Sequence, residues 1–266
     1  MIYFIIFFLV TILLMAISIK WELDKLMSYS WAILMGILAC LTIVLIKSAG
    51  YVLHPFQQLF IACIQAAIFS LIAILVLFFR NPERKPPAQE NIIASPADGT
   101  VKYVKEIHNQ EFPFAIKNKK AIPLSEFSGS DVISGSCIQV GIGMTLLDVH
   151  VNRSPIDGKI SLLRRIPGTY KSLKKISSLL ENERAVAIIE GDKIKIGLVF
   201  IASRLVRRIC IYLSEGQDVI IGQRIGMIRF GSQVDVLIPK SKTLRIKIKT
   251  GEKVRAGLSI LATFQH

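Results

Sequence analysis

Motifs of the usual catalytic and metal-binding kinds are scarce in this 266-residue chain. It has only four cysteines, Cys40, Cys63, Cys137 and Cys210, and none of them form a C-x-x-C pair. Its four histidines, His54, His108, His150 and His266, include no H-x-x-x-H pair, so neither a structural zinc site nor a disulfide framework is expected. Each cysteine reads as a small apolar residue in a reducing compartment. No heptad or collagen repeat runs through the chain, and no G-x-S-x-G elbow marks a hydrolase nucleophile. Acidic residues are also few, 19 against 33 basic ones, for a net charge of +14. With 52% hydrophobic residues, disorder is excluded.

The apolar and the basic excess occupy different places. Residues 1–79 hold only Lys20, Lys25 and Lys47 against Glu22 and Asp24, so the basic charge belongs almost wholly to the remainder. Three apolar runs fill that first third: Ile2–Ile19, Trp31–Ile46 and Leu59–Phe79. A membrane-spanning helix needs about 20 apolar residues, so the first and third fit and the 16-residue middle run is marginal, leaving two or three spans. Trp21, Trp31 and Tyr51 stand at run edges, where interfacial aromatics belong. A signal peptide over 1–19 is the weaker reading, because no basic residue precedes the run. Arg80, Arg84 and Lys85 follow the last run at once, which places the basic body on the cytoplasmic side of the cell (inner) membrane.

Pro86-Pro87 marks a linker, taken as 80–90. Beyond it the pattern turns to period two, most plainly in Leu244–Lys249, where apolar and basic residues alternate. Strands are expected near 91–95, 99–106, 136–142, 159–166, 184–189, 193–202, 206–213, 225–230, 233–238, 243–249 and 258–264, with a helix over 170–181. Asp98-Gly99 and Asp157-Gly158 suit tight turns. Gly216, Val219 and Gly222 recur at the same offsets as Gly251, Val254 and Gly257, the half-repeat of a barrel-sandwich hybrid. Crossover helices are missing, so 91–266 is expected as a mainly antiparallel β body behind an α-helical transmembrane region.

Three polar islands interrupt the strands: Ser95–Gly99, Asp148–Pro155 and Arg229–Asp235. Each has a plain structural reading: Asp98 as a turn residue, His150 as a buried strand histidine, and Gly231-Ser232 as a bulge. Together they supply an acid, an imidazole and a hydroxyl, the parts of an oriented base and nucleophile.

In this order, and behind FFRNPER at 78–84, the islands SPADG, DVHVNRSPIDG and RFGSQVD, with NER at 182–184 and IASRLVRRI at 201–209, closely resemble the short prokaryotic phosphatidylserine decarboxylase proenzymes. The resemblance covers about 78–240. It implies a precursor that cuts itself between Gly231 and Ser232 into 1–231 and 232–266, a 35-residue second chain that stays with the first. The new end becomes a covalent pyruvoyl group made from Ser232, which forms a Schiff base with phosphatidylserine and yields phosphatidylethanolamine and CO2; no metal is needed. It also implies His150 as base on Ser232, with Asp98 orienting the imidazole. Longer relatives carry a second histidine where this chain has Arg153, so His150 would serve both cleavage and turnover. Gln233 stands where relatives often have a basic residue. Arg207, Arg208 and Arg153 are candidates for the lipid phosphate. The expected partners are the substrate in its bilayer and the anionic membrane surface, with oligomeric state open to a homo-oligomer. Two alternatives remain at this point, a membrane-anchored β adaptor and a membrane serine hydrolase. Nucleic-acid binding would suit the charge but account for neither anchor nor islands.

Overall fold

The computed structural model describes residues 2–20, 25–107, 111–117, 120–123, 136–169, 181–202, 209–228 and 232–264. They form two compact units, Met1–Phe79 and Arg80–His266. The first is helical: α1 (Ile2–Lys20), α2 (Lys25–Ser48) and α3 (Pro55–Phe79). Each is long and apolar enough to cross a membrane. The middle helix exceeds its apolar run because Lys25–Ser30, which includes Leu26 and Met27, and Lys47-Ser48 extend it, giving 24 residues where the run has 16. Ile6, Val10, Met35, Ala39, Ile43, Ala62 and Ala66 bury one another at the centre. Gly36 lets two helices approach closely, since a Cβ there would lie 2.7 Å from Thr11 Oγ1. Trp31 Nε1 donates to Ser70 Oγ at 3.0 Å. The outward faces carry exposed Phe4, Phe8, Phe56, Phe60 and Ile68. In the second unit, by contrast, only Tyr212, Ile220 and Leu258 are large, apolar and exposed among the described residues. That difference marks the first unit as membrane-associated.

The second unit is antiparallel β. Its strands are β1 (Ile92–Ala94), β2 (Gly99–Ile107), β3 (Glu111–Lys117), β4 (Lys120–Pro123), β5 (Cys137–Met144), β6 (Val151–Arg153), β7 (Gly158–Ile166), β8 (Arg184–Glu190), β9 (Lys195–Ala202), β10 (Ile209–Ile211), β11 (Asp218–Val219), β12 (Arg224–Ile228), β13 (Ser232–Pro239), β14 (Arg245–Ile246), β15 (Lys253–Val254) and β16 (Ile260–Thr263). Eight join in the order β11-β7-β8-β9-β13-β5-β2-β15, and two three-stranded sheets, β1-β16-β14 and β10-β12-β6, accompany them. The core runs through Val101, Val140, Ile142, Ile160, Leu198, Phe200, Val234 and Leu261.

The suspected half-repeat is a structural duplication. Ser95 Oγ donates to the Ala97 carbonyl and Ser154 Oγ to the Ile156 carbonyl, both at 2.7 Å. Gly257 N donates to the Ser95 carbonyl, and Gly222 N to that of Ser154. The Ala256 amide donates to Asp98 Oδ1 and the Ile221 amide to Asp157 Oδ1, again both at 2.7 Å. The two loops then clasp each other, Ala94 N to the Pro155 carbonyl and Arg153 N to the Pro96 carbonyl. Gly222 and Gly257 need their positive φ, 79° and 70°, to turn these amides inward.

Several expectations change here. Asp98-Gly99 and Asp157-Gly158 are not hairpin turns: each glycine opens a long strand, and its aspartate braces the opposing loop. The proposed 80–90 linker is not a free tether, because polar bonds strap its first half to the body. Of the 170–181 helix, all but residue 181 lies outside the described residues. Strand 243–249 narrows to Arg245–Ile246 within the described ladder, although its inward Leu244 and Ile248 are buried as the alternation requires. The short β4, β6, β11 and β15 escaped notice, being too brief for a period to register, and so did the seven-residue β3, where Pro113 argues against a strand.

Candidate active site

The strap holds the first part of the site. Asp98 is buried, and its two oxygens receive Arg84 Nη1 at 2.5 Å and Nη2 at 2.8 Å, a bidentate pair. Arg84 Nη1 also donates to the Ala256 carbonyl at 2.8 Å, so one guanidinium joins strap, Asp98 loop and β15–β16 connection. Upstream, Arg80 Nη2 donates to the Leu147 carbonyl at 2.6 Å. Arg224 pairs with Glu83 and donates Nε to Asn81 Oδ1 at 3.1 Å. Pro86 presses on Gly222, where a Cβ would lie 2.4 Å from its ring.

His150 follows a tight turn after β5. Asp148 Oδ2 accepts the Thr145 amide at 2.6 Å and the Thr145 hydroxyl at 2.8 Å, while the Asp148 amide returns to the Thr145 carbonyl. This closure aims the Asp148 carbonyl at His150 Nδ1, 2.8 Å away. A carbonyl oxygen only accepts, so Nδ1 carries the proton and Nε2 the lone pair, the tautomer a base requires. The imidazole is fully buried, and burial lowers its pKa to about 4, against smaller opposing effects from the Asp148 carbonyl and the Asp148 and Asp98 charges. Arg80 adds to the lowering. His150 is therefore neutral at pH 7.

Backbone register brings Ser232 to the same corner. Ser232 opens β13 and is opposite Met144, the last residue of β5, on one side and Ala202, the last of β9, on the other. The turn that carries His150 begins directly after Met144. The His150 carbonyl in turn accepts the amide of Ile228, the last residue of β12. The chain thus leaves from His150 at 228 and re-enters the sheet beside Met144 at 232. Gly231 lies between, outside the described residues.

Asp98 itself is held by other groups. Its carboxylate engages Arg84 and the Ala256 amide, the imidazole Nδ1 faces a backbone carbonyl, and Asp98 reaches His150 through its charge. Arg153, a phosphate candidate, is buried with Nη1 on the Gly222 carbonyl and Nη2 on the Pro82 carbonyl, each at 2.8 Å. It secures the strap. Arg207 and Arg208 lie outside the described residues.

Gln233 is buried too. Its Nε2 lies 2.6 Å from both Tyr103 Oη and Asp235 Oδ1, while Tyr103 Oη and Gln139 Nε2 donate to Asp235 Oδ2. Burial pushes Asp235 up to about 6 although all three partners pull it down, and Tyr103 rises well above its ordinary value. Gly141 makes room for the Tyr103 ring, which a Cβ would approach to 2.3 Å. This cluster, unseen in the sequence beyond Gln233, fixes the first turns of β13 from the face opposite Val234. Among the described residues no group of three or more His, Cys, Asp or Glu is placed to hold a metal.

The family model described as phosphatidylserine decarboxylase matches residues 71–262. A Chlorobium limicola protein named phosphatidylserine decarboxylase proenzyme is 34% identical over 228 residues, covering 85% of this chain and 94% of its own. A Methanocaldococcus jannaschii protein, provisionally named archaetidylserine decarboxylase proenzyme, is 39% identical over 201 residues, 74% of this chain and 92% of its own. A Methanothermobacter thermautotrophicus protein with the same provisional name is 36% identical over 197 residues, 74% and 83% of the respective chains.

Proposed function

The chain belongs to the phosphatidylserine decarboxylase family and is a carboxy-lyase, and we propose that it cuts itself before Ser232 and removes the carboxyl group of a membrane serine phospholipid, giving the ethanolamine lipid and CO2. The observation that carries this reading is the seat of Ser232. It is the first residue of β13, paired on both edges with β5 and β9, and seven further residues of the strand follow. A cut at its N-terminal side would leave 232–266 held by β13, β14, β15 and β16, with the new end fixed at the His150 corner.

In the cut, the Ser232 hydroxyl attacks the Gly231 carbonyl and its proton passes to His150 Nε2. The amide becomes an ester, with Gly231 now on the serine oxygen. Loss of the Ser232 α-proton expels the Gly231 carboxylate and leaves a dehydroalanine; water then displaces ammonia. A pyruvoyl group fits this place, because a strand end locked on both edges keeps its carbonyls from turning into solvent. When formed, it supplies the electron sink that decarboxylation needs. His150 holds and returns protons at this corner, its neutral state secured by burial. The Arg84–Asp98 pair ties the strap to the Asp98 loop, and the Asp98 charge favours the imidazolium that forms transiently. The three helices anchor the chain in the bilayer, where the substrate resides, and the positive flank after α3 supports a body on the cytoplasmic side of the inner membrane.

The test is release of labelled CO2 from carboxyl-labelled serine lipid by the detergent-solubilised protein. Release by the natural chain and none by Ser232→Ala supports the reading; equal release by both overturns it. Because relatives carry names for both lipid backbones, ester-linked and ether-linked substrates belong side by side in the assay.

A further inference from the structure

Asn152 is fully buried two residues beyond His150, and its side-chain oxygen has no hydrogen-bond partner. Its Nδ2 faces the Pro96 carbonyl at 3.5 Å. A carbonyl only accepts, so the nitrogen belongs on that side and Oδ1 on the other edge of the amide. We infer that Asn152 Oδ1 accepts a hydrogen bond from the amine of the serine headgroup, a specificity-determining contact that rests on the proposed decarboxylase reading and deepens it.

Strand register places Asn152 with the reacting groups. β6 and β12 pair Asn152 with Gly226 and Val151 with Met227, and the Ile228 amide continues the ladder to the His150 carbonyl. Successive residues of an extended segment alternate faces, so His150 and Asn152 share one face and Val149, Val151 and Arg153 take the other. Ile228, across from His150, lies in the main core, and so do Met144 and Ala202, the residues paired with Ser232. The face carrying His150 and Asn152 and the sheet position of Ser232 thus open on the same interior. Polar neighbours of Asn152 in these loops are engaged: Ser154 with the Ile156 carbonyl, Arg153 with the Gly222 and Pro82 carbonyls, Asp98 with Arg84. A buried acceptor without a donor is costly, and its retention beside the catalytic histidine calls for a donor that arrives with the substrate.

Chemistry selects which part of the headgroup this donor is. At neutral pH the phosphodiester and the carboxylate are both anions and can only accept, so the amine holds the only donors of the serine headgroup. An amide oxygen takes one of its N–H groups and repels both anions. Its neutrality matters as well. The nitrogen attacks a carbonyl only as the free amine, and a carboxylate in place of the amide would favour the ammonium form. Asparagine therefore orients the nitrogen without opposing its deprotonation.

The experiment compares the natural chain in mixed micelles with Asn152→Leu, which is close to asparagine in size and removes the acceptor. Self-cleavage is followed on gels, and CO2 release from carboxyl-labelled serine lipid gives kcat/KM. The same lipid with hydrogen in place of the amine serves as a competitive inhibitor. The expected result is self-cleavage within about threefold of the natural rate, kcat/KM for the serine lipid lowered roughly tenfold or more, and an inhibition constant for the amine-free lipid within about twofold. Only the long Nδ2 contact is lost, so urea-dependent labelling of the buried Cys137 should be no faster than in the natural chain. An unchanged kcat/KM in a normally cut variant overturns the assignment. Equal weakening of both lipids, or faster Cys137 labelling, marks a structural role and overturns it too. Asn152→Ala repeats the comparison without the bulk of leucine; failure of both variants to cut themselves would assign Asn152 to the cut and remove it from the amine. A natural chain that neither cuts itself nor releases CO2 refutes the decarboxylase reading, whereas an active natural chain matched by Asn152→Leu refutes the Asn152 assignment alone.

Discussion

Removing either member of the Arg84–Asp98 pair tests how the strap is held. The two side chains are only 8% and 10% exposed, and Asp98 Oδ1 also accepts the Ala256 amide. Arg84→Met leaves a buried carboxylate with that amide as its remaining described partner. Asp98→Asn leaves a buried guanidinium facing a neutral amide and the Ala256 carbonyl. Breaking one side of a buried pair costs about 3–5 kcal/mol, because the surviving charge loses both water and counter-charge. The double variant removes both charges, so it should recover on the order of 2 kcal/mol or more relative to the sum of the singles. Glu83→Gln, at the exposed Glu83–Arg224 contact, is the control expected to change little. Cys137 reports on the body, since it is fully buried in β5 and its thiol is pushed up to about 11 by that burial. Urea-dependent labelling of Cys137 in detergent, read by peptide mass, gives the free energy of opening. Because Asp98 binds the strap, both single variants should also slow self-cleavage together. Singles within about 1 kcal/mol of the natural chain, or a double as costly as the summed singles, would refute a coupled buried pair. Loss of cleavage in Asp98→Asn with normal cleavage in an equally destabilised Arg84→Met would return Asp98 to a direct role on the imidazole.

Other expectations follow from single sites. Gly99→Ala should destabilise the body by more than about 2 kcal/mol, since its φ is +148° and the new Cβ would lie 2.3 Å from the Gly143 carbonyl oxygen; Gly251→Ala, with φ +90° and open space, should cost only about 1 kcal/mol by the same Cys137 labelling. His150→Ala should slow self-cleavage by about 10²–10⁴-fold on a gel time course. In the natural chain that rate should stay level from pH 8 to 6 and fall only as pH approaches 4, because burial keeps His150 neutral; a fall centred near 6.5 would show an ordinary imidazole. Asp235 is raised from 3.8 to about 6, so the fold favours its acid form and loses stability as pH climbs between those values. Asp235→Asn should therefore gain on the natural chain across that window, by an amount on the order of 3 kcal/mol at most, and hold the difference above it. A pH-independent difference would remove Asp235 from the titration.

The long periodic strands, the apolar runs and the half-repeat were readable because each leaves a regular trace in sequence. Ser95–Gly99 and Asp148–Pro155 are legible as polar islands, yet the clasp between their loops through Ala94–Pro155 and Arg153–Pro96 is a contact between distant segments, which no local pattern encodes. The strap was misread for a similar reason. Asn81, Pro82 and Pro86 have the composition of a linker, and only their partners Arg153, Arg224 and Gly222, some 70 to 140 residues away, make them part of the body. Arg84 gave the one usable hint, as a charge placed to pair with an acid in a neighbouring island. The Tyr103–Gln139–Asp235 cluster hides within strands, since alternating polar residues in a sheet read as a wet face until something covers them.

The central claim is that this chain is made as one piece and becomes two at Gly231-Ser232. Intact mass spectrometry of the purified, detergent-solubilised protein tests it directly. The account predicts a 35-residue fragment spanning 232–266, lighter by one ammonia than its serine-started form and blocked to Edman sequencing, together with the 1–231 chain. A folded preparation that remains a single 266-residue chain would contradict it.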